Sequence, residues 1–372
     1  MLKKLILTGN GCLLLVLSIF SLSGCGNDNK SKEVIVEPVE YDYQVPESLA
    51  DGWQVASLYE SDFDVDKVET LIAAIKNGKY PEIDSILVAQ SGSLLLEEYF
   101  NGYSASKLHQ TQSAIKSFDS AVVGILQDQH YLSSLDQPIE DYLPELQDVD
   151  WSGAKGEITL EDLLTMRSGL DCLETNSNGC NSTNINQSHN WAKFTLSQSM
   201  VNQPGTFFSY FSGLPLVMHR IVENQTGQSY KSFIDQYLLA PLGIVNYRFD
   251  HSPAGETLNA HMLPRDMAKF GQLYLNKGQW QGQQLISPYW VERSTQPSVE
   301  DGQWLERFKY GYWWWLFDGE KAGKAFNFIG ARGSYGQWII LMPEQELLLV
   351  FTGNKDTEAV FDIIEQYFYL AE

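Results

Sequence analysis

Ser113 and Lys116 lie three residues apart in HQTQSAIKSFDSAVVGIL, residues 109–126. A serine hydroxyl is a poor nucleophile until a base takes its proton. A lysine amine can be that base when burial and cationic neighbours lower its pKa. The residues that follow decide whether the two can meet. Ile115, Phe118, Val122 and Ile125 repeat with 3-4-3 spacing, which predicts a buried helix with Ser113 in its first turn. Positions three apart lie on one side of a helix, so both side chains would enter one cavity at the helix end. The helix N-terminus adds partly positive N–H groups, suited to an oxygen that becomes negative. Spacing alone is weak ground. Ser104 and Lys107 share it nine residues upstream, in a polar stretch after Gly102 with no apolar helix behind it.

Other chemistries fit worse. The chain has no G-x-S-x-G elbow, H-E-x-x-H pair, Walker A loop or G-x-G-x-x-G fingerprint. Its histidines, at 109, 130, 189, 219, 251 and 261, show no metal-ligand spacing and are expected to be structural or exposed. No metal or organic cofactor is expected.

The elements that must hold the pair follow from periodicity. VDKVETLIAAIKNG has apolar residues at 65, 68, 71, 72 and 75 and ends at Gly78, a helix pattern. SILVAQSGSLLLEEYF reads as a hairpin turning at Gln90-Ser91-Gly92-Ser93. A middle region of about 113–265 is mostly helical by pattern, with Thr159 as a cap ahead of Glu161 and Asp162. KAFNFIGARGSYGQWIILMPEQELLLVFTGN alternates strand runs with turns, and TEAVFDIIEQYFYLAE reads as a closing amphipathic helix. Strands early and late with helices between, and no βαβ repeat, predict an α+β fold. One antiparallel sheet would draw on both chain ends, with helices flanking it and a helical subdomain inserted.

Composition sets outer bounds. The chain has 372 residues, 44% of them hydrophobic, and a formal net charge of −22. Such a surface repels nucleic acid. Residues 1–24 open with Lys3 and Lys4 and run through an apolar core from Cys12 to Phe20, a secretory signal. That core is shorter than the roughly 20 residues of a spanning helix. Leu22-Ser23-Gly24-Cys25 resembles the lipobox of bacterial lipoproteins, which implies cleavage before Cys25, a lipid on its sulfur and a place in the cell envelope, on the periplasmic face or in the outer membrane. A plain signal peptide or an uncleaved anchor are the alternatives. Residues 25–50 are polar and broken by prolines, a tether ahead of a domain over 51–372. Cys172 and Cys180 would then sit in an oxidising compartment, where a local disulfide suits them. Two free thiols or a metal site are the other readings, the last disfavoured by the lack of a nearby histidine.

Seven stretches occur in a familiar order: SILVAQSGSLLLEEYFNGY, SAIKSFDSAVVGIL, DLLTMRSGL, QPGTFFSYFSG, PRDMAKFGQLYLNKGQW, YGYWWW and ARGSYGQWIILMPEQELLLVFTGN. Together they resemble the serine β-lactamase-like hydrolases, the superfamily of class C β-lactamases, D-amino-acid peptidases and related esterases. RDMAKFGQLYLNKG and GSYGQ are most similar to its 6-aminohexanoate-oligomer hydrolase branch. The resemblance covers about residues 55–370 and implies that Ser113 and Lys116 are the catalytic pair. It places Tyr210, in Tyr210-Phe211-Ser212, on the family's Tyr-x-Asn tyrosine, implying proton transfer with Lys116. Ser212 departs from the family's Asn, and a hydroxyl cannot donate and accept over the same reach as an amide. The family's Lys-Thr-Gly strand becomes Ala331-Arg332-Gly333. The resemblance implies an oxyanion hole from the N–H groups of Ser113 and Ser334, with Gly333 allowing close backbone approach. Arg332 would hold a substrate carboxylate in place of the missing lysine, or point outward. The aromatics from Tyr310 to Trp315, with Tyr335 and Trp338, are expected to divide between core and an apolar acyl pocket.

The resulting expectation is a serine hydrolase of a small ester or amide. The alternatives are a D,D-peptidase or β-lactamase acting on cell-wall material, and a catalytically inactive envelope protein that only binds.

Overall fold

The computed structural model describes residues 38–174, 180–252, 257–300, 307–321, 324–356 and 358–368. The signal segment and Cys25 lie outside these residues. In chain order the strands are β1 (Gln54–Val55), β2 (Ile83–Gln90), β3 (Ser93–Tyr99), β4 (His109–Gln110), β5 (Tyr247–His251), β6 (Thr257–Met262), β7 (Gln279–Trp280), β8 (Gln283–Gln284), β9 (Phe308–Tyr310), β10 (Trp315–Lys321), β11 (Lys324–Gly333), β12 (Gln337–Met342) and β13 (Leu347–Gly353). The helices are α1 (Val65–Lys76), α2 (Ile115–Asp128), α3 (Leu160–Leu164), α4 (Ser182–Gln187), α5 (Trp191–Leu196), α6 (Gly213–Thr226), α7 (Tyr230–Ile234), α8 (Pro264–Leu275), α9 (Pro288–Ser294) and α10 (Ala359–Ile363).

Eight strands form one sheet in the order β1-β3-β2-β13-β12-β11-β10-β9. The early hairpin β2–β3 joins the late meander through β2–β13, where Leu349 faces Val88. The hairpin turns at Ser91 and Gly92, both at positive φ (48° and 82°), the backbone that a two-residue hairpin turn demands. The sheet is antiparallel throughout except for the two-residue parallel pairing of β1 with β3. Two of its inner strands, β12 and β13, carry unbroken apolar runs, Trp338–Met342 and Leu347–Phe351, because both faces are covered. Leu347, Leu349 and Phe351 pack with residues of α1 and α10, while Leu348 and Val350 join the larger core that holds α2, α6 and α8.

The inserted region is less purely helical than its sequence suggests. Between α7 and α8 the chain forms β5 and β6, which pair with β4 as a three-stranded sheet. The segment after α7 continues as a π-helical turn over Asp235–Leu239. Thr159 caps α3 in a reciprocal capping box with Asp162. Part of the stretch expected as a tether, 25–50, is packed structure. Tyr43 is buried, its N–H donates to Glu69 Oε1 at 2.8 Å, and its hydroxyl donates to the Leu95 carbonyl at 2.7 Å. A tyrosine that buries its ring and finds a partner for its hydroxyl is docked structure, so the packed domain begins by about residue 41.

Candidate active site

Ser113 does not sit in the first turn of α2. It lies in a 3-10 turn over Gln112–Ala114 that feeds the helix. Gln112 takes φ +49° there, an uncommon conformation for a residue with a side chain. The neighbours hold the turn in place. Thr111 N–H donates to the Ala260 carbonyl at 2.8 Å, and its hydroxyl reaches the same carbonyl at 3.0 Å. From the other side comes Gly333. A Cβ built there would lie 2.3 Å from the Thr111 carbonyl oxygen and 2.9 Å from Gln112 Cβ. Only glycine lets β11 close on the turn that carries Ser113.

Helix α2 is buried from Ile115 to Leu126, which fixes its rotation about its axis. Ser117 donates to the Trp313 carbonyl at 2.7 Å, and Phe118 stacks on Phe270 of α8 at 3.7 Å. On the remaining face, Lys116 Nζ lies 2.9 Å from Ser113 Oγ and 3.0 Å from Ser212 Oγ. Nζ also stands 5.0 Å from the centre of the Tyr210 ring, and Tyr210 is buried. The structure thus gathers Ser113, Lys116, Tyr210 and Ser212 from segments about a hundred residues apart. Ser212 is the residue that opens α6, and it bonds Lys116 with the short hydroxyl that stands where the family has an amide. By contrast, Ser104 and Lys107 are exposed, and the Lys107 ammonium bonds the Gly102 carbonyl.

A cleft of about 260 Å³ opens on this group. Ser113, Lys116 and Ser212 line it together with Ser334, which sits in the turn after β11. Arg332 is placed differently. Residues alternate sides along a strand, so Arg332 faces away from Gly333 and the Ser113 turn. Its guanidinium lies 5.6, 5.7 and 5.3 Å from the ring centres of Phe308, Trp315 and Trp338. Burial pushes its pKa down, against the opposing pull of Tyr210, Asp356 and Glu358. Arg332 is not among the described residues that line the cleft, and neither is Tyr210. The aromatics likewise fall to the core. Tyr310, Tyr312, Trp313, Trp314, Trp315 and Trp338 are all buried, Tyr335 is exposed, and none appears among the described cleft residues.

Three cleft residues carry no motif and were not legible in sequence. Glu174 Oε2 accepts the Ser212 N–H at 2.9 Å, and the Glu174 N–H donates to the Tyr210 carbonyl at 3.1 Å. The disulfide Cys172–Cys180 closes the loop that carries Glu174, and Ser209 donates to the Cys172 carbonyl. Segment 172–174 therefore runs as a splint along Tyr210–Ser212. Asp119 and His219 are the other two. His219, expected to be structural or exposed, lines the cleft and bonds Asp119 through Nε2 at 3.1 Å. The one signal for Asp119 was its position, a carboxylate three residues after Lys116 in a helix buried from Ile115 to Leu126.

The chain is similar to several known proteins. A 6-aminohexanoate-dimer hydrolase from Paenarthrobacter ureafaciens is 24% identical over 293 residues, 72% of this chain and 71% of that protein. Among solved structures, a family VIII carboxylesterase superposes with a TM-score of 0.65 at 18% identity, over 82% of this chain and 96% of that one. A class C β-lactamase superposes with a TM-score of 0.62 at 15% identity, over 82% and 96%. The family model described as Beta-lactamase matches residues 82–371, a span that holds the Ser113 turn, the Tyr210–Ser212 segment and the Gly333 strand, and the chain belongs to that family.

Proposed function

We propose that the protein is a serine hydrolase of ester or amide bonds that works through an acyl-enzyme on Ser113. The observation that carries this reading is the 2.9 Å contact between Lys116 Nζ and Ser113 Oγ at the open end of a buried helix. That distance allows direct proton transfer. Ser113 Oγ bonds to the substrate carbonyl carbon while its proton passes to Lys116 and Tyr210. The carbonyl oxygen becomes negative and accepts the N–H groups of Ser113 and Ser334. The leaving alkoxide or amine departs with the proton, and water then cleaves the acyl-serine by the same steps. Ser212 Oγ, 3.0 Å from Nζ, holds the lysine in register. The relatives named above, a dimer hydrolase and a carboxylesterase, act on bonds of this kind and support the reading.

The direct test is a substrate panel on the full-length protein in detergent, with Ser113→Ala as the blank. It should contain short-chain esters, D-amino-acid and linear aminohexanoate amides, and a chromogenic β-lactam. Turnover of esters or amides that vanishes in Ser113→Ala is expected. Equal turnover by the variant would refute the mechanism. We further propose export and lipid anchoring at Cys25. Cys25→Ala should move the protein from the membrane fraction to the soluble fraction, and an unchanged distribution would rule the anchor out.

A further inference from the structure

A second cavity adjoins the cleft. It is a groove of about 360 Å³, within the range of small-molecule pockets. Neighbouring residues of the same three segments line the two. Gln112, Asn259 and Ser334 line the cleft, while Gln110, His261 and Tyr335 line the groove. From Asn259 to His261 is one step along a single face of β6, about 7 Å. A group attached beside a carbonyl at Ser113 can therefore reach the groove. The chemistry of the two cavities differs. The cleft holds Lys116, Asp119, Glu174 and Asp250, whereas no Asp, Glu, Lys or Arg lines the groove among the described residues.

Tyr335 is the residue that calls for a ligand. It holds a positive φ of 65°, which is costly for a bulky side chain and persists only where neighbours impose it. They do so from both ends. The Tyr335 N–H donates to Asp356 Oδ1 at 2.6 Å, and its carbonyl accepts from Gln337 Nε2 at 3.0 Å. Gln337 is buried and also donates to the Gly353 carbonyl at 2.8 Å. Yet the ring held this way stays 50% exposed, so core packing does not account for it, and glycine would be free of the strain. The Tyr103 ring of the groove is engaged by His109 at 4.6 Å and by the Lys107 ammonium at 4.1 Å. Tyr335 has no ring or cation partner among the described residues and offers the free aromatic face. Two amides beside it leave opposite ends open among the described residues. Asn354 gives its Nδ2 to Asp84 and keeps its amide oxygen, while Gln110 accepts from Gln112 at Oε1 and keeps its Nε2. An acceptor, a donor and an aromatic face without an ion suit a ring of hydroxyls, which donate and accept around an apolar C–H face. We infer that the groove is a carbohydrate subsite, so the preferred substrates are esters of a neutral sugar whose ring rests on Tyr335. The sugar hydroxyl is then the leaving group. It departs with the proton as the acyl group passes to Ser113, and water releases the acid. This rests on Ser113 being the nucleophile and names the substrate class of that site.

The test uses full-length protein in a detergent without a sugar head. The substrates are acetate esters on the primary hydroxyl of methyl glucoside, methyl galactoside and methyl N-acetylglucosaminide. Cyclohexylmethyl acetate, a ring of like size without hydroxyls, is the comparison. At least one sugar ester should exceed it in kcat/KM by roughly tenfold or more, the strength of one or two neutral hydrogen bonds. In Tyr335→Asn, a residue that tolerates the left-handed backbone, the sugar-to-cyclohexyl ratio should fall toward one. Saturation-transfer NMR with the three methyl glycosides reads the groove without turnover or a variant, and transfer to ring protons is expected. Sugar esters no faster than the cyclohexyl ester, a ratio unchanged in Tyr335→Asn, or no transfer to any of the glycosides would each overturn the inference. Ester turnover that is blind to the sugar but lost in Ser113→Ala would leave the hydrolase reading standing and remove only the groove's role. Transfer to a glycoside from a protein that turns over no ester would support the groove and remove the hydrolase reading.

Discussion

Ser113 and Lys116 form a usable pair because single residues around them exclude alternatives. Gly333 is the sharpest case, since any side chain there collides with the Thr111 carbonyl at 2.3 Å. Gly333→Ala should push the nucleophile turn away from Ser334 and lower kcat/KM about a hundredfold, with a stability loss of about 1–3 kcal/mol from overpacking. Steady-state kinetics and denaturant titration together check it, and full activity would show that the turn tolerates displacement. Ser212 makes a subtler contribution. Removing its hydroxyl leaves Lys116 one acceptor short, so Ser212→Ala should lower kcat roughly tenfold while KM for a neutral ester stays nearly constant. A large rise in KM instead would assign Ser212 to substrate binding. At this scale the sequence was legible wherever a residue sat in a local pattern, as Ser113 and Lys116 do. Asp119, Glu174 and His219 were not, because what makes them site residues is contact across helices and loops. Arg332 could be placed only after the register of β11 with β12 set its side of the sheet.

The elements that matter most are α2, the start of α6 and the loop beside it. Helix α2 announces itself through its apolar stripe, yet its first turn does not, since the strained 3-10 entry at Gln112 comes from the closing of β4 and β11 around it. The splint formed by segment 172–174 was equally silent in sequence beyond its two cysteines. Its loop spans a sequence separation of 8 residues, and a closure of that size contributes about 2–3 kcal/mol by constraining the unfolded chain. Because the splint bonds both Tyr210 and Ser212, its opening should also reach catalysis. The Cys172→Ser/Cys180→Ser double variant should melt lower and lose several-fold in kcat below the transition. A lower melting temperature with unchanged kcat would confine the disulfide to stability.

At the scale of the whole molecule, one sheet built from both chain ends carries the site, and polar ties lock the ends together. Asp84 of β2 is the clearest tie. It is buried, and it accepts from His109 Nε2 at 2.9 Å, from Asn101 at 3.0 Å and from Asn354, just past β13, at 2.9 Å. Burial pushes its pKa up, but these hydrogen bonds outweigh it and hold the carboxyl below the usual range. A carboxyl depressed in the folded state contributes stability above its unfolded pKa and loses it as pH falls through the folded value. Stability should therefore drop below about pH 4, and less steeply in Asp84→Asn, which should itself cost about 2–4 kcal/mol at neutral pH. Parallel acid curves for the two proteins would deny Asp84 that part. The α+β plan was legible because strand runs cluster at both ends. The parallel β1 and the strand β4 were not, since two-residue strands leave no periodicity to detect. The most direct test of the whole assembly is intact-protein mass spectrometry after exposure to a fluorophosphonate, with peptide mapping and Ser113→Ala alongside. One adduct per chain, mapped to Ser113 and absent from the variant, is the expected result. No adduct on the folded protein, or one retained in Ser113→Ala, would contradict Ser113 as the nucleophile.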